Sequence, residues 1–111
     1  MDSNRTIVNA FTGEEITFLK TSKETNDKYL LIKVYLPAHS EGPPLHYHLA
    51  FNELFEVIEG ELTVQVNDEK TILREQEQLL VDKEVHHRFS NESDQPVKFF
   101  VTLTPGSQFE E

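Results

Sequence analysis

His46 and His48, separated by Tyr47, are followed by Glu53 and, much further along, by His87. All four are good metal ligands, and they lie in segments that otherwise read as β-strands. Side chains two apart on a strand share a face, so His46 and His48 can aim two imidazoles at one point while Tyr47 turns away. Glu53 adds a carboxylate oxygen and His87 a third imidazole from a distant strand, a set that suits a divalent transition metal. Histidine pairs also arise by chance, and a buried histidine is often only a hydrogen-bonded core residue. The surroundings favour the metal reading. Period-two alternation puts Phe89 on the face of His87, and Phe55 and Val57 on the face of Glu53. A carboxylate and imidazoles pointing into an apolar interior need a charged partner, because a lone buried charge costs several kcal/mol. Phe55, Val57 and Phe89 are accordingly the candidate lining of a substrate pocket.

The elements that must position these groups are short and numerous. Residues 15–20 carry Ile16, Phe18 and Leu19 and read as a strand, whereas 21–28 are polar loop. The run 29–36 is the clearest strand, ended by Pro37; Gly42-Pro43-Pro44 excludes helix or central strand there. Strands follow over 52–59, 61–66, 71–73, 78–81, 86–91 and 97–104, with turns at Gly60, Asn67-Asp68 and 82–84. In 61–66, Leu62, Val64 and Val66 should face inward, and Thr63 and Gln65 outward. No sustained three-to-four-residue apolar period predicts a long helix. Eight or more short strands spaced by turn signals indicate an all-β sandwich or small barrel.

The 111 residues suffice for one domain, 1–111, with a barrel core at about 29–104. Ten Lys and Arg against 20 Asp and Glu give a net charge of -10, which repels phosphate backbones and anionic lipid. Nucleic-acid and membrane partners are therefore set aside. With no cysteine, disulfides, thiolate catalysis and cysteine-type zinc sites are excluded. Residues 1–20 hold no apolar run long enough for a signal peptide, and no later stretch resembles a membrane span, so the expected setting is cytoplasmic.

The spacing His46-x-His48-x4-Glu53-x6-Gly60 resembles the main part of the first cupin motif, and His87-x3-Asn91 resembles the end of the second. The resemblance runs from about Tyr29 to Thr102. It implies an RmlC-like jelly roll, a small antiparallel β-barrel holding one metal on His46, His48, Glu53 and His87. Three nitrogens and one oxygen would leave two octahedral positions open to water, oxygen or substrate. Mn, Fe, Co, Ni and Zn all suit the set. The sequence departs from the family where Ser40 replaces a glycine, which falls instead at Gly42. Gln76, Asp82 and Glu84 likewise stand where the second motif has Gly, Pro and Gly. These positions shape turns; Glu84 is the least comfortable of them if its place requires positive φ.

Function read this way is a small metal-dependent enzyme of dioxygenase-like type acting on a small organic molecule, with Glu53 as ligand and proton acceptor together. An isomerase is less favoured, because no other acid or base is placed in the pocket. The alternatives are a non-catalytic module that binds or senses a metabolite or metal, and a remnant with an empty site. His39 reads as an exposed loop residue, and His86 as turned away from the metal by alternation. Tyr29, Lys33 and Tyr35 share one face of their strand; turned inward they would contact a substrate, and turned outward, the favoured reading, they form a solvated or subunit-facing stripe. Segment 52–59 is apolar on both faces, with Leu54 and Ile58 opposite Glu53, Phe55 and Val57, and a sheet so patterned must be covered on both sides. The expectation is a homodimer, with sheet packed on sheet or strands within residues 6–20 exchanged.

Overall fold

A computed structural model describes residues 6–9, 13–26, 28–42 and 51–105. Among them the chain forms nine strands and no helix: β1 (Thr6–Val8), β2 (Glu15–Lys20), β3 (Leu30–Leu36), β4 (Asn52–Glu59), β5 (Leu62–Val66), β6 (Glu69–Leu73), β7 (Gln78–Val81), β8 (His87–Ser90) and β9 (Val97–Thr104). The apolar alternation seen in the sequence decides which face each presents. Leu30, Ile32, Val34 and Leu36 are buried along β3, as are Val97, Phe99, Val101 and Leu103 along β9, while the residues between them are half-buried.

Every strand pairing is antiparallel. One sheet runs in the order β1-β2-β3-β9-β4-β7 and the other in the order β6-β5-β8. The fold is an all-β jelly roll. Its core lies between the sheets, where Phe55, Val57 and Phe99 of the large sheet join Leu62, Val64 and Leu73 of the small one in a single cluster. Each such side chain contributes about 1.5–3 kcal/mol on burial.

Two residues depart from simple alternation. Thr63 and Ser90, on the outward face of the small sheet, are nonetheless buried. They stand opposite each other across the β5–β8 pairing, so each covers the other. Val66, expected inside, is only half-buried where β5 runs out into the Asn67-Asp68 turn.

Candidate metal centre

Glu53 enters the barrel from β4, next to the edge strand β7 of the large sheet. It pairs with Val81 of β7 on one side and Leu103 of β9 on the other, and alternation turns it inward with Phe55 and Val57. His87 opens β8 in the small sheet, paired with Val66. The two side chains meet across the interior, with His87 Nε2 2.9 Å from Glu53 Oε1, and both are almost completely shielded from solvent.

The other ring nitrogen fixes the chemistry of this contact. His87 Nδ1 lies 2.9 Å from the Val85 carbonyl oxygen. A carbonyl can only accept, so Nδ1 carries a proton and donates it. In the neutral ring, Nε2 is then a bare lone pair aimed at a carboxylate oxygen. Two lone pairs at hydrogen-bond distance require a cation, either a proton, which makes the ring an imidazolium, or a metal ion. Burial pushes the His87 pKa down, but the hydrogen bond to Glu53, the Val85 carbonyl and the Glu53 charge together leave it raised above 6.5. The same tautomer, held by a backbone carbonyl, is the one a metal-ligating histidine uses. The donor chemistry of the pair thus fits a divalent metal.

Of the other predicted ligands, His46 and His48 lie outside the described residues. Among those described, no third His, Cys, Asp or Glu joins Glu53 and His87. Phe55 packs edge-on to the His87 ring at 6.3 Å between centroids, and its ring is 5.9 Å from Phe89. Phe99 completes this wall, at 6.2 Å from Phe55 and 5.4 Å from Phe89. Val57 is buried further along β4, paired with Phe99. His39 is exposed, with its backbone N–H donating to Ser93. His86 is exposed too, and its carbonyl accepts from Asn67 in the neighbouring turn.

Sequence reasoning did not single out Val85 or Phe99, and it gave no role to Asn91. Val85 acts through its backbone, which no side-chain pattern reveals. The alternation of Val97, Phe99, Val101 and Leu103 with Lys98, Phe100, Thr102 and Thr104 does mark Phe99 as the inward-facing member of the Phe99-Phe100 pair, and its register with Val34 and Val57 agrees. Asn91, fully buried, is visible in the sequence only as the end of a motif. Its Nδ2 donates to the carbonyls of Leu36, Pro37 and Gln95, and its Oδ1 accepts from Ser93 N and Oγ. Its backbone N–H donates to the Ser40 carbonyl, tying residues 40–42 to the end of β8, the strand that carries His87.

The departures from the motif glycines have a backbone consequence. Gln76 and Glu84 have φ of 72° and 71°, the left-handed region, so both positions demand what glycine supplies most cheaply. Gly42 also has positive φ, and a Cβ there would collide with the Phe89 carbonyl. The glycine displaced from position 40 is thus required at 42.

Two grooves open away from the Glu53–His87 pair. One of about 640 Å³ is bordered by Glu14, Leu36, residues 37–42 and Phe89. Burial there pushes the Glu14 carboxyl above its usual range. The other, about 460 Å³, lies over the outer face of the small sheet and is lined by Thr63, Lys70, Arg88 and Glu92 among others.

Residues 33–103 match the family described as the cupin domain. Among curated proteins, the tetracenomycin polyketide synthase protein TcmJ of Streptomyces glaucescens is 32% identical over 68 residues, which is 61% of this chain and 46% of that protein. Oxidoreductase OpS7 of Beauveria bassiana is 52% identical over 33 residues, 30% of this chain and 11% of that protein. The alignments thus span less than half the length of either relative. Among solved structures, a predicted oxalate decarboxylase from Thermotoga maritima superposes with a TM-score of 0.80 at 19% identity, covering 90% of each chain. An RmlC-like cupin from Shewanella frigidimarina superposes with a TM-score of 0.78 at 19% identity, covering 100% of this chain and 94% of that one. Among the described residues, no helix is long and apolar enough to cross a membrane.

Proposed function

Since this chain belongs to the cupin family, we propose that it holds one divalent transition metal on His46, His48, Glu53 and His87 and acts on a small organic molecule in dioxygenase-like chemistry. The observation that carries this reading is the buried contact between Glu53 and a His87 Nε2 left without a proton of its own by the Val85 carbonyl. When bound, the ion, from among Mn, Fe, Co, Ni and Zn, would supply Lewis acidity and a site for oxygen. The chain's own residues do the rest. Val85 keeps the His87 ring in the required tautomer and orientation. Glu53 supplies negative charge and is the group able to accept a proton from substrate. Phe55, Phe89 and Phe99 exclude water and offer ring faces and edges to an apolar or aromatic substrate body. One relative's name, an oxidoreductase, agrees with redox chemistry as the reaction type. We also propose that the working unit is a homodimer.

A specific observation favours a second reading, binding without turnover. Among the described residues, the surroundings of the pair are aromatic, and Glu53 is their one carboxylate. Elemental analysis after reloading with each metal in turn tests the site: about one ion per chain is expected, and none in any form overturns it. Oxygen uptake by the loaded forms against a panel of small aromatic and keto acids, with His46→Ala as blank, then separates the readings. Turnover above the blank supports the enzyme; saturable binding alone supports the module.

A further inference from the structure

The carbonyl that orients His87 needs an anchor of its own, because residues 82–86 lie between strands. The β4–β7 pairing ends with Glu53 opposite Val81, and the β5–β8 pairing with Val66 opposite His87. A tight reversal spans the gap. Val85 N–H donates to the Asp82 carbonyl at 3.3 Å, and Glu84, the third residue of this turn, has φ of 71°, the sign a type II turn requires there. At the amino end, Asn52 Oδ1 accepts from Lys83 N–H at 2.7 Å. Asn52 directly precedes Glu53, so its side-chain carbonyl continues the β4–β7 ladder past the point where the backbone leaves it. At the carboxyl end, the His86 carbonyl accepts from Asn67 N–H at 2.9 Å. The Val85–His86 peptide is thereby held from both sheets, and its carbonyl has little freedom to turn away from His87 Nδ1.

We propose that Asn52 is a positioning residue for His87: by holding Lys83 N–H it fixes the Val85 carbonyl, and so decides which ring nitrogen carries the proton. This deepens the metal reading above and rests on it for its consequence. The two partners of the ring compete. Glu53 Oε1 and the Val85 carbonyl both accept, each 2.9 Å from its nitrogen, and a neutral imidazole has one N–H to give. A carboxylate is the stronger acceptor. Were Glu53 to win, Nε2 would hold the proton and have no lone pair for a metal. A carbonyl already fixed in place counters this, because donating to it orders no further backbone. A loose carbonyl cedes the proton to Glu53. Of the anchors described, Asn67 acts through its backbone and Asn52 through its side chain, so Asn52 is the one that substitution removes cleanly.

Nitrogen-15 NMR of the His87 ring in metal-free protein, at a pH where the ring is neutral, reads the tautomer, and competition with a chromophoric chelator reads zinc affinity. In the parent protein the Nδ1–H form should predominate. Asn52→Leu, close in shape but without the acceptor, should move the ratio toward Nε2–H by about fivefold, the weight of an ordinary neutral hydrogen bond. It should also weaken zinc binding at least about tenfold, whereas Asn52→Asp, which keeps an acceptor, should stay within about threefold of the parent on both readouts. Lys83→Pro removes the same bond from the donor side without touching β4. Proline suits the second position of a type II turn and has no N–H, so the turn survives unanchored and the variant should match Asn52→Leu. The double variant should be no worse than either single one, and Lys83→Ala, which keeps the N–H, should behave as the parent. A folded Asn52→Leu or Lys83→Pro with the parent's tautomer ratio overturns the proposal. So does an Asn52→Asp that behaves as Asn52→Leu, or a parent in which Nε2–H predominates. If Asn52→Leu does not unfold cooperatively on heating, Lys83→Pro decides alone. The tautomer readout needs no metal, so a parent protein that takes up none refutes the metal centre while the positioning of His87 is still decided.

Discussion

Replacing Glu53 by Gln in chelator-treated protein should invert the pH dependence of stability that the His87 contact creates. In the parent protein the contact is a charge-assisted hydrogen bond at 2.9 Å in a buried site, a type worth about 1.5–3 kcal/mol net. Because the folded His87 pKa is raised, this stabilisation is fully present below the unfolded value of 6.5 and is lost as pH rises through the folded value. Within that window the loss is about 1.4 kcal/mol per pH unit. In Glu53→Gln both contributions of Glu53 vanish, and burial, the leading cause, favours the neutral ring. The introduced side-chain amide would then donate to the Nε2 lone pair, a satisfied arrangement once His87 is uncharged. Urea unfolding should therefore find the variant less stable by about 2 kcal/mol near pH 5.5, with the gap narrowing as pH rises above 6.5. Other titrating groups cancel in the difference between the two proteins. A gap constant to within about 0.5 kcal/mol over this range would refute the assignment of the proton to the pair.

His87→Ala should abolish metal uptake, whereas His86→Ala, one residue away but exposed, should leave elemental content unchanged. Gln76→Gly and Glu84→Gly should each stabilise the fold by about 0.5–1 kcal/mol in urea unfolding, because relief of the left-handed strain exceeds the added chain entropy; Glu75→Gly, whose φ is not positive, should destabilise by a similar amount. Asn91→Ala should cost about 2–4 kcal/mol, since it strands carbonyls of Leu36, Pro37 and Gln95 that the amide satisfies, and a loss under about 1 kcal/mol would contradict the role assigned to it.

Strands were legible wherever one face had to be apolar. The regular alternation of β3 and β9 leaves a single inward register, and the Asn67-Asp68 turn marks the β5–β6 hairpin without further context. Glu53 and His87 were legible as partners because spacing within each strand points both inward. What alternation cannot supply is which strands become neighbours. The mutual burial of Thr63 and Ser90 and the carbonyl that orients His87 depend on pairing or on backbone atoms common to every residue. Glu84 was legible as a misfit, yet the sign of its φ belongs to the turn between β7 and β8 and not to the residue.

The order of the large sheet has a consequence for assembly. Its centre is occupied by β9, the last strand in the chain, wedged between β3 and β4. Glu53 is thus held by two neighbours that both follow it in sequence, and His87 sits on the opposite wall. No amino-terminal fragment can present the carboxylate in place; until residues through Thr104 have condensed, Glu53 lacks one of its two flanking strands. Loop closure over such spans is slow, so the nascent chain passes through a stage in which Glu53 and His87 are both synthesised but the two walls that bring them into contact are not yet joined.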